Sequence, residues 1–133
     1  MCRMVGKLLR LIGHTVYVFC DIGEDARRYS NEVRQHGHAD TLNARSATND
    51  VTVLKIYKEN MMKLLAADAV VLVLPSGKSA HLEAGFAVGR GKPVYVIGEL
   101  RDGDWDAMYC MCNGIFAYED IISLMDRLKI ISQ

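Results

Sequence analysis

Apolar and polar positions fall into blocks along this chain, and the period of the pattern changes from block to block. Cys2–Leu11 places Met4, Val5, Leu8 and Leu9, with Ile12 beyond, at helical spacing between Arg3, Lys7 and Arg10, which predicts an amphipathic helix. Gly13 is a candidate C-cap, and the apolar run Val16–Cys20 predicts a strand. Asp21–Asp50 is polar and has no period. It predicts loop, with one short helix near Arg27–Gln35. Asp50 or Thr52 is placed to cap a helix running to about Leu65, with Val53, Leu54, Tyr57, Met61 and Leu64 facing inward. Val70–Leu74 is continuously apolar, as a strand covered on both faces requires. The small-residue stretch Pro75-Ser76-Gly77-Lys78-Ser79 breaks it, a helix follows, and Gly91-Lys92-Pro93 leads into a second buried strand ending at Ile97. Gly98–Asp106 reads as a polar loop. A short helix within Trp105–Asn113, a short strand at Ile115–Tyr118 and a terminal helix at Glu119–Ile131 complete the chain. That helix turns Ile121, Ile122, Leu124, Met125 and Leu128 inward.

Strands alternating with helices predict an α/β fold with a mostly parallel sheet and helices on both faces. The length of 133 residues fits one domain, residues 1–133. Parallel sheets bind ligands at the carboxyl ends of their strands. The break after Leu74 lies at such an end. Ser76, Gly77 and Ser79 are small enough to let a ligand reach the backbone. The amides of the following helix would point at it, and Lys78 adds a positive charge. A turn in which Ser79 merely caps the helix fits the same residues. Glu83 comes four residues after Ser79, so a helix puts both on one face. It sits among Ala80, Leu82, Ala84, Phe86 and Ala87, where a carboxylate must be solvated, paired or working. His81 points away from both Ser79 and Glu83 and is expected to be a partly buried structural histidine. Asp68 is expected to start its strand by bonding nearby amides.

Hydrophobic residues at 50% and charged residues at 24% describe an ordinary globular protein. A net charge of +0 and a pI near 6.9 argue against nucleic-acid polymers held by bulk charge, or an acidic membrane surface. Basic residues interrupt the first helix too often for a secretory signal. No apolar run approaches the ~20 residues that span a bilayer. The expectation is a cytoplasmic protein. Cys110 and Cys112 are too close for a zinc knuckle or a dithiol motif, so all four cysteines are expected to be reduced structural thiols. His36 and His38 have no third ligand at useful spacing. No metal site is predicted.

The ordered set Ala67-Asp68, an apolar strand, Ser76-Gly77-x-Ser79, Glu83-Ala84-Gly85, Ala87 and Gly91-Lys92-Pro93 resembles the nucleoside 2-deoxyribosyltransferase family. That superfamily includes deoxynucleoside-monophosphate N-glycosidases. The match is good over Ala67–Ile97, weaker over Gly6–Phe19 and Asp106–Leu128, and loose between Asp21 and Tyr57. The resemblance implies a flavodoxin-like three-layer sandwich with four to five strands. Family members begin with a strand before the first helix, and this chain begins in the helix. Either it is the interior of a longer protein, or the sheet closes up and Val16–Cys20 pairs with Val70–Leu74.

The resemblance also implies a chemistry: cleavage or transfer at the N-glycosidic bond of a (deoxy)nucleoside or nucleoside 5′-monophosphate. Glu83 matches the family's nucleophile, which forms a covalent glycosyl intermediate. The Ser76–Ser79 loop would hold phosphate or sugar. Asn60 falls where the family has an Asp. It can orient a base but cannot act as a general acid. Asp106 falls near a residue that reaches into a neighbouring subunit's site, so a homodimer or higher homo-oligomer is implied. No cofactor is implied, because the carboxylate does the chemistry. The departures at Asn60 and at the first strand leave a second possibility, a nucleotide-binding or sensing module that has lost catalysis. A flavoprotein on a flavodoxin-like sheet is a third. It fits poorly, because no Ser/Thr-rich phosphate loop follows the first strand.

Overall fold

Three short apolar strands form a parallel sheet in the order β1 (Val70–Val73), β2 (Val94–Ile97) and β3 (Gly114–Phe116), with Val70 opposite Val94 and Tyr95 opposite Gly114. A computed structural model describes residues 1–19, 51–100 and 103–131, the side chain of Thr52 apart. The helices are α1 (Cys2–Leu11), α2 (Val51–Ala66), α3 (Lys78–Gly89) and α4 (Ile121–Ile131). Two 3-10 turns, Ala107–Met111 and Tyr118–Asp120, flank β3. The chain divides into two compact units. One contains Met1–Val16 with Leu64–Gln133, and the other is Tyr17–Lys63. Among the described residues no helix is long and apolar enough to cross a membrane.

In the first unit, parallel strands cannot be joined by a tight turn, so α3 supplies the crossover from β1 to β2. It packs against both strands through Ala84 and Ala87, both buried. Small side chains there let the helix backbone approach the sheet. The other sheet face presents Tyr95 and Ile97, which bury against Val5 and Leu9 of α1 and Leu124 and Leu128 of α4. All four residues of β2 are buried, as a central strand covered on both faces should be. The expected layering of helix, parallel sheet and helix is therefore present.

Local chemistry sets the boundaries. The α1 helix ends as expected at Gly13, which adopts φ +97°. Gly13 N–H donates to the Arg10 carbonyl and His14 N–H to the Leu9 carbonyl. Those two bonds are the Schellman pattern, and its left-handed position favours glycine. Beyond it the expected strand at Val16–Cys20 does not form in residues 16–19; Cys20 lies outside the described residues. The Arg10 guanidinium donates to the Val16 carbonyl at 2.8 Å. In the second unit, Tyr17 packs edge-on to Phe19 and donates to Asn60 instead. The short helix expected near Arg27–Gln35, His36, His38 and the Asp50 cap lie outside the described residues. Thr52 falls inside α2, not at its cap.

Lys92 has a structural role that its place in the motif did not suggest. Its ammonium donates to the carbonyls of Leu65 and Ala67. Leu65 is in the last turn of α2, where carbonyls have no intrahelical partner. Lys92 therefore ties the end of α2 to the start of β2. Lys92→Met should lower stability by about 1–2 kcal/mol, read as a lower urea midpoint with an unchanged slope.

The C-terminal part is displaced from expectation by small amounts. The helical segment expected in Trp105–Asn113 is the 3-10 turn Ala107–Met111, and the strand begins one residue early, at Gly114. Asn113 explains the shift. Its side-chain oxygen accepts from Val94 N–H at 2.9 Å and its own N–H donates to the Val94 carbonyl at 2.7 Å. It thus extends the ladder by one side chain. Ile122, expected inside, is 69% exposed. Leu124 and Leu128 define the buried face of α4, and Ile122 lies about 200° from Leu124 around the helix axis.

Candidate functional site

Everything of chemical interest in the first unit is arranged around α3. The chain leaves β1 through buried Leu74 and a cis Leu74–Pro75 peptide, and α3 begins at once. Gly77, not Ser79, is its N-cap, and no side chain caps the helix. Ser79 is instead the second helical residue and is exposed. The alternative in which Ser79 caps the helix does not hold, because Gly77 occupies the cap in the extended conformation (φ −85°, ψ 177°) that a cap requires. Uncapped first-turn amides next to exposed Lys78 leave this end of the helix positively polarised. Ser76 is half-buried.

Glu83 is half-buried on the same face as Ser79. Among the described residues no cation or hydrogen-bond donor pairs with it. Burial pushes its carboxyl above the ordinary value of 4.5. Asp106, by contrast, is on the other side of the helix. Its carboxylate accepts from Met108 N–H at 2.8 Å and caps the 3-10 turn. Asp68 is exposed, with no side-chain bond among the described residues to support its expected strand-starting role.

Asn60 belongs to the second unit, where α2 presents it half-buried. Its Oδ1 accepts from the Tyr17 hydroxyl at 3.3 Å, and Lys63 lies over the Tyr17 ring, 5.6 Å from its centroid. The Asn60 carbonyl is thus engaged within its own unit, which leaves its amide N–H groups to offer.

The face of α3 opposite Glu83 carries a feature that sequence reading missed. His81, Ala84, Gly85 and Val88 line one side of a cavity of about 430 Å³, with Leu72 among its apolar lining. Met108, Tyr109, Met111 and Cys112 supply another side, and Asp104 and Asp106 also line it. The spacing of 81, 84, 85 and 88 is a helical face, so the signal was present. It was hidden because the other wall comes from a turn far along the chain.

No family model, curated protein or solved structure matches this chain. The cavity and the Glu83 face are therefore read from their chemistry alone.

His81 lies on the cavity side of α3. Its Nδ1 lies 3.0 Å from the Gly77 carbonyl, which can only accept, so Nδ1 carries the hydrogen; Ser76 Oγ is 3.4 Å from the same nitrogen. In neutral His81 the Nε2 is then an acceptor, and the Tyr109 hydroxyl, 2.8 Å away, donates to it. Burial chiefly, then the charge of Asp104, Cys112 and Asp106, raises the Tyr109 pKa and keeps that hydroxyl protonated. His81 thus joins the helix start to the 107–111 turn, in keeping with the structural role expected of it. Tyr109→Phe should loosen that turn and lower stability by about 1 kcal/mol, with faster amide exchange confined to residues near 107–111 as the check.

Cys110 and Cys112 are free thiols, and burial holds the Cys112 thiol above its ordinary range. Cys20 lies outside the described residues. Among the described residues no three of His, Cys, Asp and Glu are grouped as metal ligands would be.

Proposed function

We propose that this chain cleaves or transfers at the N-glycosidic bond of a (deoxy)nucleoside or nucleoside 5′-monophosphate, with Glu83 as nucleophile, on a flavodoxin-like sheet of four to five strands. The observation that carries the proposal is Glu83: a half-buried, unpaired carboxylate one turn inside the helix that follows β1. A carboxylate stripped of part of its water is a stronger partner for the positive charge that develops at the anomeric carbon. Its oxygen would bond to that carbon as the carbon–nitrogen bond breaks and the electron pair leaves with the base. The base takes a proton from water, since Asn60 cannot supply one. Water, or a second base, then displaces the sugar and regenerates the carboxylate. Uncapped amides at Lys78 and Ser79, together with the Lys78 ammonium, suit a 5′-phosphate. Gly77 lets a ligand approach the backbone, and Ser76 and Ser79 offer hydroxyls to a sugar. Asp106 is assigned to the site of a second copy in a homodimer or larger homo-oligomer. Leu82, 75% exposed on α3, supports such an assembly.

A second reading, a nucleotide-binding or sensing module without turnover, is favoured by the engagement of Asn60 with Tyr17 and by its inability to donate a proton as an acid. Base release from a panel of nucleosides and 5′-monophosphates, separated by chromatography, decides between the two. Release by the native chain and not by Glu83→Ala is expected. No release, with thermal stabilisation by one panel member, would replace the enzyme with the module.

A further inference from the structure

We propose that the cavity between α3 and the 107–111 turn binds a small aromatic amine in its cationic form. The site is separate from the Glu83 face and does not depend on what Glu83 does.

The volume comes first. About 430 Å³ lies within the range of small-molecule pockets, with room for a one- or two-ring body. Leu72, Ala84, Val88, Met108 and Met111 give it an apolar lining. Gly85 leaves the helix backbone bare on that face, with nothing within 4 Å of where a Cβ would stand. A flat apolar body fits such a lining, and the polarizable methionines adapt to its edge.

Polarity decides the rest of the ligand. Among the described residues the polar side chains in the lining are His81, Tyr109, Asp104 and Asp106, with no lysine or arginine. The Gly77 carbonyl takes the His81 Nδ1 hydrogen, and His81 Nε2 takes the Tyr109 hydrogen. The Tyr109 oxygen therefore has only lone pairs left. Asp104 and Asp106 are acceptors when ionised. Apart from the weak Cys112 thiol, the described side chains of this cavity can accept hydrogen bonds and cannot give them, and the charge they carry is negative. A ligand must bring its own donors and a positive charge, and an ammonium group does both. The raised Tyr109 pKa, which the two carboxylates help to cause, registers the same negative field. Trp105 stacks on Tyr109 with ring centroids 5.9 Å apart and planes at 28°, and aromatic faces attract cations.

Trp105 is the chain's only tryptophan, so its fluorescence reports on the cavity without a label. Phenethylamine is the probe, and 3-phenylpropionate, with a similar body and the opposite charge, is the control. We expect a saturable change with phenethylamine, binding at least about tenfold weaker for 3-phenylpropionate, and weakening by added salt. Asp104→Asn should weaken phenethylamine binding by about tenfold. Asp106→Asn keeps an oxygen for the Met108 N–H, so the turn survives while the charge goes, and it should act in the same direction. Glu83→Gln should leave binding unchanged. Equal response to the two probes would overturn the proposal in favour of an indifferent apolar hollow. No saturable response, or one that disappears as the protein self-associates, would overturn it in favour of a surface covered by a second copy.

Discussion

Glu83→Gln should be inactive in base release and yet more stable than the native chain near neutral pH. The two effects share one cause. Burial raises the Glu83 pKa above 4.5, so the folded state disfavours the charged form relative to the unfolded chain. Below 4.5 the carboxyl is protonated in both states and there is no penalty. As pH rises through the folded-state value, the native protein must ionise a partly desolvated group, and stability is lost. Glutamine keeps the shape and omits the charge. Its gain in melting temperature should therefore be present near neutral pH and absent in acid. Activity runs the other way. A nucleophile must be ionised, so base release by the native chain should rise with pH through the raised value, above the range of an ordinary glutamate. Loss of the nucleophile should lower turnover by on the order of a thousandfold or more. A thermal melt at two pH values and one pH–rate profile separate the outcomes. A Gln variant less stable than native at both pH values would make Glu83 a structural acid and remove the main support for its catalytic role.

The structure also shows why some of the molecule could be read from its sequence and some could not. Helix α1 was readable to the residue, because an amphipathic stripe and a terminal glycine are both local signals. So were β1, β2 and the crossover between them, where apolar runs and a small-residue break follow one another along the chain. Val16–Cys20 has a composition that suits a strand, but residues 16–19 form none, and Val16 is instead held by Arg10 of the preceding helix. That contact is six residues away and has no period. Ser79 failed as a cap because residue preference named a hydroxyl where backbone conformation chose Gly77. Glu83 was readable as a carboxylate out of place, and its half-buried, unpaired state agrees. The cavity on the far side of α3 was not readable. It needs Tyr109 to meet His81 across 28 positions of sequence, and no spacing rule encodes that pairing.

Gly98→Ala should be the most damaging single-methyl change at a described glycine, costing about 2–4 kcal/mol. Gly98 follows β2 at the carboxyl end of the sheet. Its φ of +137° lies where side chains other than hydrogen are strained. A Cβ built there would stand 2.8 Å from the Leu74 Cβ, 2.9 Å from the Leu74 carbonyl oxygen and 3.0 Å from the Tyr118 hydroxyl. Two of those three atoms are backbone or attached directly to it, so no flexible end can swing aside. The same point is a junction of the ladder. Leu74 N–H donates to the Ile97 carbonyl at 2.8 Å, Gly98 N–H to the Phe116 carbonyl at 2.9 Å, and the Tyr118 hydroxyl to the Leu74 carbonyl. A methyl at Gly98 must therefore push apart β1, β2 and the 118–120 turn at the edge from which the chain runs on to α3. Gly103 is the internal control. It also has positive φ, +89°, but nothing lies within 4 Å of its virtual Cβ, so Gly103→Ala should show conformational strain alone, about 1 kcal/mol. Urea midpoints of the two variants then isolate the steric part at Gly98. Equal losses would mean that the carboxyl end of the sheet opens freely. In that case Leu74 and Tyr118 do not fix where α3 begins, and the placement of Glu83 has to come from the packing of Ala84 and Ala87 on the sheet.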